Sequence, residues 1–323
     1  ARPGRRLAGA REVDAMPTTL NAAALERLRK ARTNGAEDVL RLALPKGRME
    51  QAVLALLRDA SVQVQQGSRA YRPVVNLPNV QAKTLKPQNV VEMLHIGARD
   101  VGFAGADWVR ELDAELVELL DTELDPVRVV AAAPEEALDA SGWPRAKSPL
   151  LIATEYEQLT RRWVEARGLD ALVVRTWGAT EVFPPEDADC IVDNTATGAT
   201  LRANHLVEFD ELLRSSTRLY ANPQALESPR KREAIEAFCT LVASALEARK
   251  RAIIEVNVAE GALERVLQTL PAMREPTIAA LAHGAGYAVR VAAPRAELPS
   301  LLPRVKAAGG SDIVVTLPAQ ITP

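Results

Sequence analysis

Short apolar runs alternate with amphipathic stretches along most of this chain, and that alternation narrows the folds open to it. Val39 to Leu44, Asp100 to Ala104, Val127 to Ala133, Leu150 to Thr154, Ala171 to Thr176 and Ala188 to Val192 have the length and apolar character of buried strands. Between them, Met49, Val53, Leu56 and Leu57 fall on one helical face, and Pro87 to Ile96, Trp108 to Leu120 and Tyr156 to Gly168 read as further helices. Such repetition specifies an α/β fold with parallel sheets. Strand patterns near Leu206 to Leu213 and Thr217 to Ala221, then a helix from Pro229 to Lys250, complete a region that reads as two lobes joined by crossing segments around a cleft. From Arg251 the order becomes βαββαβ, ending in a strand over Asp312 to Leu317, which is the ferredoxin-like unit.

At 323 residues the chain exceeds one ordinary core, so two or three domains are expected. A net charge of -2 argues against nucleic acid as a partner. No apolar run reaches the roughly 18 residues of a membrane span. The two cysteines, Cys190 and Cys239, form no C-x-x-C pair, and His95, His205 and His283 are dispersed. Neither a disulfide framework nor a zinc site is indicated, which suits a reducing compartment. The arginine-rich start, Ala1 to Arg11, lacks the apolar core of a secretory signal. A cytoplasmic protein is expected, or a plastid one if that start is the end of a transit peptide. Asn21 to Arg32 reads as a helix closed by Thr33-Asn34-Gly35, within an N-terminal extension of residues 1–37.

The stretch from Asp189 to Leu201 carries the sharpest chemical signal. An apolar strand leads into Asp193, then Asn194-Thr195-Ala196-Thr197-Gly198-Ala199-Thr200 opens a helix. Hydroxyls and backbone N–H groups at a helix start form a cradle for phosphate. Asp189 and Asp193 are expected at the strand end, where they would meet ribose hydroxyls or a metal ion. An N-capped helix after a strand is the plainer alternative. Asp107 similarly suits the cap of a helix beginning at Trp108. Trp163 and Trp177 read as packing residues, and His95 and His205 as surface positions.

Five motifs in order resemble those of the ATP phosphoribosyltransferases of the long, hexameric type. They are Ala43-Leu44-Pro45-Lys46-Gly47-Arg48, the segment Asp100 to Asp107, Gly178-Ala179-Thr180-Glu181-Val182, the Asp189 to Leu201 loop, and Glu275-Pro276-Thr277-Ile278. The resemblance implies a two-lobed catalytic region like a periplasmic binding protein and a C-terminal ferredoxin-like (ACT- or PII-like) domain that binds histidine as feedback inhibitor. The expected divisions are lobe I at 38–129 and 207–250, lobe II at 130–206, and the regulatory domain at 251–323. The implied reaction joins N1 of ATP to C1 of phosphoribosyl pyrophosphate and releases pyrophosphate, with Mg²⁺ as cofactor, in a homo-oligomer between dimer and hexamer.

The resemblance assigns Lys46, Arg48 and Glu181 to catalysis. It assigns Asp189, Asp193, Thr195, Ala196, Thr197, Gly198, Ala199 and Thr200 to phosphoribosyl pyrophosphate, and Glu255, Asn257 and Thr277 to inhibitory histidine. Taken alone, Lys-Gly-Arg also suits a solvated turn, Glu181 a surface glutamate, and the last three residues the polar face of a sheet. The chain departs from the family pattern in having Asn194, Thr195 and Ala196 where an apolar residue, Val, and Ser or Glu are usual. Residues 183–187 are one residue shorter than usual, and Leu124-Asp125-Pro126 replaces a glycine-containing turn. A bilobal solute receptor or a non-catalytic regulatory paralogue would share the same layout.

Overall fold

Two long strands running side by side organise the fold. The structure is a computed structural model and describes Arg27 and residues 39–65, 71–145, 149–271 and 275–322. Of the expected helix from Asn21 to Arg32 only Arg27 lies among these; the rest, with the turn after it, lies outside the described residues.

The first unit comprises β1 (Leu40–Pro45), α1 (Arg48–Asp59), the short pair β2 (Val64–Gln65) and β3 (Val74–Val75), β4 (Val80–Leu85), α2 (Pro87–His95), β5 (Val101–Gly105) and α3 (Ala106–Glu111). Then comes β6 (Val117–Pro134). The second unit holds β7 (Leu150–Thr154), α4 (Glu157–Arg167), β8 (Ala171–Arg175), β9 (Cys190–Thr195) and α5 (Ala199–Ala203). The chain returns through β10 (Leu206–Ala221) to α6 (Pro223–Glu227) and α7 (Pro229–Lys250). All the strands from β1 to β10 except the β2–β3 pair form one sheet in the order β4-β1-β5-β10-β6-β9-β7-β8.

Register explains where the cleft must be. β5 pairs with β10 so that Gly105, its last residue, faces Thr217. β9 pairs with β6 so that Thr195, its last residue, faces Arg128, and Arg128 in turn faces Arg214 of β10. The C-terminal ends of the two parallel sets therefore point toward one another, three residues or about 10 Å apart along β10. Open α/β sheets take ligands at such strand ends. The β6–β10 ladder is interrupted there, with register shifts between Ser215 and Thr217 and between Thr217 and Arg218. Opposite, Glu123 and Asp125 adopt left-handed φ values of 58° and 46°. Bulges of this kind bend a strand and re-aim its side chains.

Two sequence expectations change. Val117–Leu120 is strand rather than the end of a helix, because α3 stops at Glu111. The patterns at Leu206 to Leu213 and Thr217 to Ala221 are one bulged strand. The Leu124-Asp125-Pro126 segment is no loop but part of the bulge inside β6, where the left-handed conformations fall on the acidic residues Glu123 and Asp125.

The C-terminal unit has the expected topology. β11 (Arg251–Val258), α8 (Leu263–Leu267), β12 (Thr277–Ala280), β13 (Tyr287–Pro294), α9 (Leu298–Ala307) and β14 (Gly310–Thr316) form an antiparallel sheet in the order β12-β13-β11-β14. Its inward residues Ile254, Val256, Val258, Val289 and Val291 pack with Val266, Leu301 and Val305 of the helices into a separate core. α7 runs into β11 without a linker, and the terminal segment returns to the first unit, where Ile321 N donates to Ser244 O at 3.0 Å.

A buried ionic cluster locks the end of the first unit remote from the cleft. Asp100 accepts from Arg41 Nη2 at 2.7 Å and from Lys231 Nζ at 3.0 Å, with Asp100 and Lys231 only 2% and 4% exposed. Burial pushes the Asp100 carboxyl upward, but the hydrogen bonds and charge of Arg41, helped by Lys231, outweigh it and leave the group below its ordinary value. Its stabilisation is present above the ordinary carboxylate range and is lost as pH falls through the lowered value, because the unfolded chain protonates first. Replacing Asp100 with Ala strands a buried ammonium, and urea unfolding at neutral pH should show a loss of about 3–5 kcal/mol. A change within experimental error would mean that the cluster is energetically idle.

Candidate active site

The strand ends that meet at the centre of the sheet carry the polar residues of a cleft. Arg48, Met49, Asp107, Trp108, Asp125, Tyr156, Asn194, Ser215 and Thr217 are among those lining a cavity of about 80 Å³. Arg48 begins α1, just beyond β1, and Gly47 before it has φ 84° and ψ −137°, a conformation only glycine takes readily. Lys46 and Arg48 are both exposed. Lys46 Nζ lies 4.9 Å from the Tyr71 ring centroid and 3.3 Å from its hydroxyl. Two exposed cations thus stand on the first unit's side of the cleft.

The loop after β9 stands on the other side. Thr195 is buried, and its Oγ1 accepts from Gly198 N at 2.9 Å, closing a tight turn. Gly198 has φ 73°, and a Cβ there would come within 2.7 Å of Arg202 Nη1. Arg202 Nη1 instead donates to Thr197 O at 3.0 Å, holding the loop from behind. Ala196, Thr197, Ala199 and Thr200 are exposed. The Gly198 N–H expected for phosphate is thus engaged within the turn, while the first N–H groups of α5 have no intrahelical acceptor.

Asp193 is the chemically unusual member. Its Oδ1 accepts from Asn194 N at 2.6 Å and Asn194 Nδ2 at 3.3 Å. Burial raises its pKa to about 7; the Asn194 N–H and Arg48 oppose the rise, and the negative charges of Glu155 and Glu181 add to it. Glu181 therefore belongs to the cleft's electrostatics, on the short helix over residues 180–182. Asp189 does not. It precedes β9 at the opposite end, about 13 Å away along an extended strand, where its Oδ2 accepts from Leu151 N at 2.9 Å.

Asp107 is no helix cap. It is buried within α3, where Oδ1 accepts from Ser215 Oγ and Oδ2 from Tyr156 Oη, both at 2.7 Å. Tyr156 Oη in turn receives Asn194 Nδ2 at 3.0 Å. Tyr156 is fully buried and stacked on Trp108, with centroids 4.8 Å apart. Burial, and then the charge of Asp107, raise its hydroxyl pKa well above the usual value. Glu111 adds a second tie between the units, accepting from Gln158 N and Leu159 N in the first turn of α4 at 3.0 and 2.9 Å. Sequence reasoning missed Glu155, Tyr156 and Ser215. The first two directly follow β7, so the strand-end rule that singled out Asp193 applies equally to them.

Other expectations divide. Trp163 packs with Trp143 and Phe209, as expected. Trp177 is 83% exposed and faces the Arg175 guanidinium at 4.3 Å, so it is not a packing residue. His205 is exposed, and His95 Nδ1 accepts from Glu115 N at 3.1 Å near the surface. In the C-terminal sheet Thr277, Arg290 and Glu255 stand side by side across three strands, with Arg290 Nε 3.2 Å from Glu255 Oε1. Asn257, two residues along β11, donates to Asp312 Oδ2 at 3.1 Å. All three residues assigned to histidine thus share the face of the sheet opposite its helices.

The comparisons with known proteins agree with this geometry. A family model described as HisG, ATP phosphoribosyltransferase, matches residues 86–244, and one for the HisG C-terminal domain matches residues 248–317. An ATP phosphoribosyltransferase from Chlorobium phaeovibrioides is 36% identical over 290 residues, which is 87% of this chain and 96% of that protein. One from Pelotomaculum thermopropionicum is 35% identical over 281 residues, with 85% and 96% covered. Among solved structures, the ATP phosphoribosyl transferase (HisG:HisZ) complex from Thermotoga maritima superposes with a TM-score of 0.58 at 28% identity, covering 65% of this chain and 99% of that one.

The raised carboxyl generates a pH test. Between the ordinary carboxylate pKa and about 7 the folded protein holds a proton on Asp193 that the unfolded chain has lost, so stability falls as pH rises through that window. Asp193→Asn removes the effect, and the variant's gain in melting temperature should be larger at pH 8 than at pH 5. An equal shift at both values would contradict the raised pKa.

Proposed function

The chain belongs to the ATP phosphoribosyltransferase family of histidine biosynthesis, and from that premise we propose how its residues carry the reaction. The observation that supports the assignment of roles is that Arg48 from the first unit and Asn194 from the second line one cavity. Phosphoribosyl pyrophosphate lies with its 5′-phosphate against Thr195 to Thr200 and its ribose beside Asp193. Lys46 and Arg48 face the pyrophosphate, the lysine as a point charge and the arginine as a two-pronged donor.

Breaking the bond between C1 and the pyrophosphate oxygen leaves positive charge on the ribose and negative charge on the leaving group. Carboxylates at Asp193, Glu181 and Glu155 stabilise the first, and the basic pair stabilises the second. N1 of ATP attacks C1 with a lone pair it already holds, so positioning and electrostatics suffice without a general base.

Mg²⁺ commonly binds through one or two carboxylates and substrate phosphates rather than in an all-protein cage. That habit fits this cleft, since no group of three or more potential ligands forms a ready metal site among the described residues. Asp193 and Glu181 are the side chains that would hold the ion, which supplies charge neutralisation on the pyrophosphate when bound. Feedback inhibition by histidine at Thr277, Glu255 and Asn257, a homo-oligomer between dimer and hexamer, and a cytoplasmic location belong to the same proposal.

Mixing the protein with ATP, Mg²⁺, phosphoribosyl pyrophosphate and pyrophosphatase should generate the ultraviolet absorbance of phosphoribosyl-ATP only when both substrates are present. Binding without product would instead favour a non-catalytic paralogue. Arg48→Ala should lower kcat/KM at least about tenfold, the scale of one lost charge-assisted hydrogen bond; unchanged kinetics would remove Arg48 from the site. For the regulatory unit, Glu255→Ala should raise the half-inhibitory histidine concentration about tenfold while leaving uninhibited activity intact. An unaltered inhibition curve would assign histidine elsewhere.

A further inference from the structure

The hydrogen bonds between Asn194, Tyr156, Asp107 and Ser215 have a single sense, and they join the two sides of the cleft. An amide nitrogen can only donate and a carboxylate can only accept. Tyr156 Oη therefore donates to Asp107 at 2.7 Å and receives Asn194 Nδ2 at 3.0 Å. Ser215 Oγ donates to the other Asp107 oxygen, and accepts from Asp107 N at 3.0 Å. Asn194 belongs to the loop strand β9, Tyr156 follows β7, Asp107 sits in α3, and Ser215 lies on β10 where its ladder with β6 is interrupted. Every hydroxyl is used, and the pairing spans both units.

The cavity these residues line is about 80 Å³. Pockets that take ligands as large as a nucleotide are typically about 300–1,000 Å³. That volume is smaller than either substrate, so a substrate that reaches these residues moves the two sides apart. Tyr156 of the second unit and Asp107 of the first meet where that parting occurs.

We propose that the Tyr156–Asp107 hydrogen bond, with Asn194 orienting the hydroxyl, is an interlobe latch that holds the two sides of the cleft together and sets the rate at which phosphoribosyl pyrophosphate enters. The proposal rests on the substrate assigned above. Glu111, which binds the start of α4 through backbone N–H groups, keeps the units aligned while the latch is broken. Trp108, stacked on Tyr156, is a fluorescent reporter placed against the latch itself.

Asn194→Leu removes the amide donor at similar volume, and Tyr156→Phe removes the hydroxyl while keeping the ring on Trp108. Tyr156→Phe removes the bond to the charged acceptor in the other unit, whereas Asn194→Leu removes only a donor that orients the hydroxyl, so Tyr156→Phe should weaken the closed arrangement more. In stopped-flow tryptophan fluorescence with phosphoribosyl pyrophosphate and Mg²⁺, association should be about tenfold faster for Tyr156→Phe and only about twofold faster for Asn194→Leu. The double variant should be no faster than Tyr156→Phe alone, since both break one chain.

Residues that merely support the fold would give slower or weaker binding when cut, so acceleration separates a latch from a structural role. Unchanged or slower association in both single variants, with melting temperatures near that of the unaltered protein, would overturn the latch. Failure of the unaltered protein to bind phosphoribosyl pyrophosphate at all would instead overturn the substrate assignment, and the latch with it.

Discussion

The pairing of β6 with β10 is the constraint on which the rest of the structure depends. Each strand runs through both units, so the sheet is continuous and the cleft lies where strands from opposite directions end. The ladder's register shifts at five places, two of them between Ser215 and Arg218, with left-handed residues Glu123 and Asp125 facing that stretch. Such shifts bend a strand and re-aim its side chains. The site's position therefore follows from register: the same pairing that sets Gly105 against Thr217 and Thr195 against Arg128 brings Arg48 and Asn194 to one cavity.

The two sides of that cavity carry opposite charge. Lys46 and Arg48 are solvated cations on the β1 side, while on the β9 side burial, with the charges of Glu155 and Glu181 added, raises the Asp193 pKa to about 7. Burying an acid beside other acids opposes its ionisation. It suits a reaction that develops positive charge on a ribose beside negative charge on a pyrophosphate. The Asp100, Arg41 and Lys231 cluster shows the contrasting arrangement, in which burial of charge is matched by partners and the carboxyl is held ionised. One site stores electrostatic tension and the other relieves it.

Much of the α/β order was legible because strands such as Leu150 to Thr154 are short, apolar and bounded by turns, which is how buried parallel strands read. The C-terminal βαββαβ order was legible for the same reason. Leu116, Val117, Leu119 and Leu120 fit a helical stripe as well as a strand, and only pairing with β10 decides between them. The β6 bulge was hidden because Glu123 and Asp125 take the left-handed conformation that a reader looks for at glycine. Asp189 and Asp193 look equivalent in the sequence, yet three residues of strand β9 separate their environments. Tyr156 and Asp107 act through partners far away in sequence, and no local spacing marks such a pair.

The central claim is that the loop after β9 and the Lys46 to Arg48 turn face a single molecule of phosphoribosyl pyrophosphate. A crystal structure of the protein with that compound and Mg²⁺ tests it most directly. The account predicts the 5′-phosphate against residues 195–200, the ribose hydroxyls at Asp193, and the pyrophosphate toward Arg48. Electron density for the pyrophosphate remote from Arg48, or for the 5′-phosphate away from the loop, would contradict it.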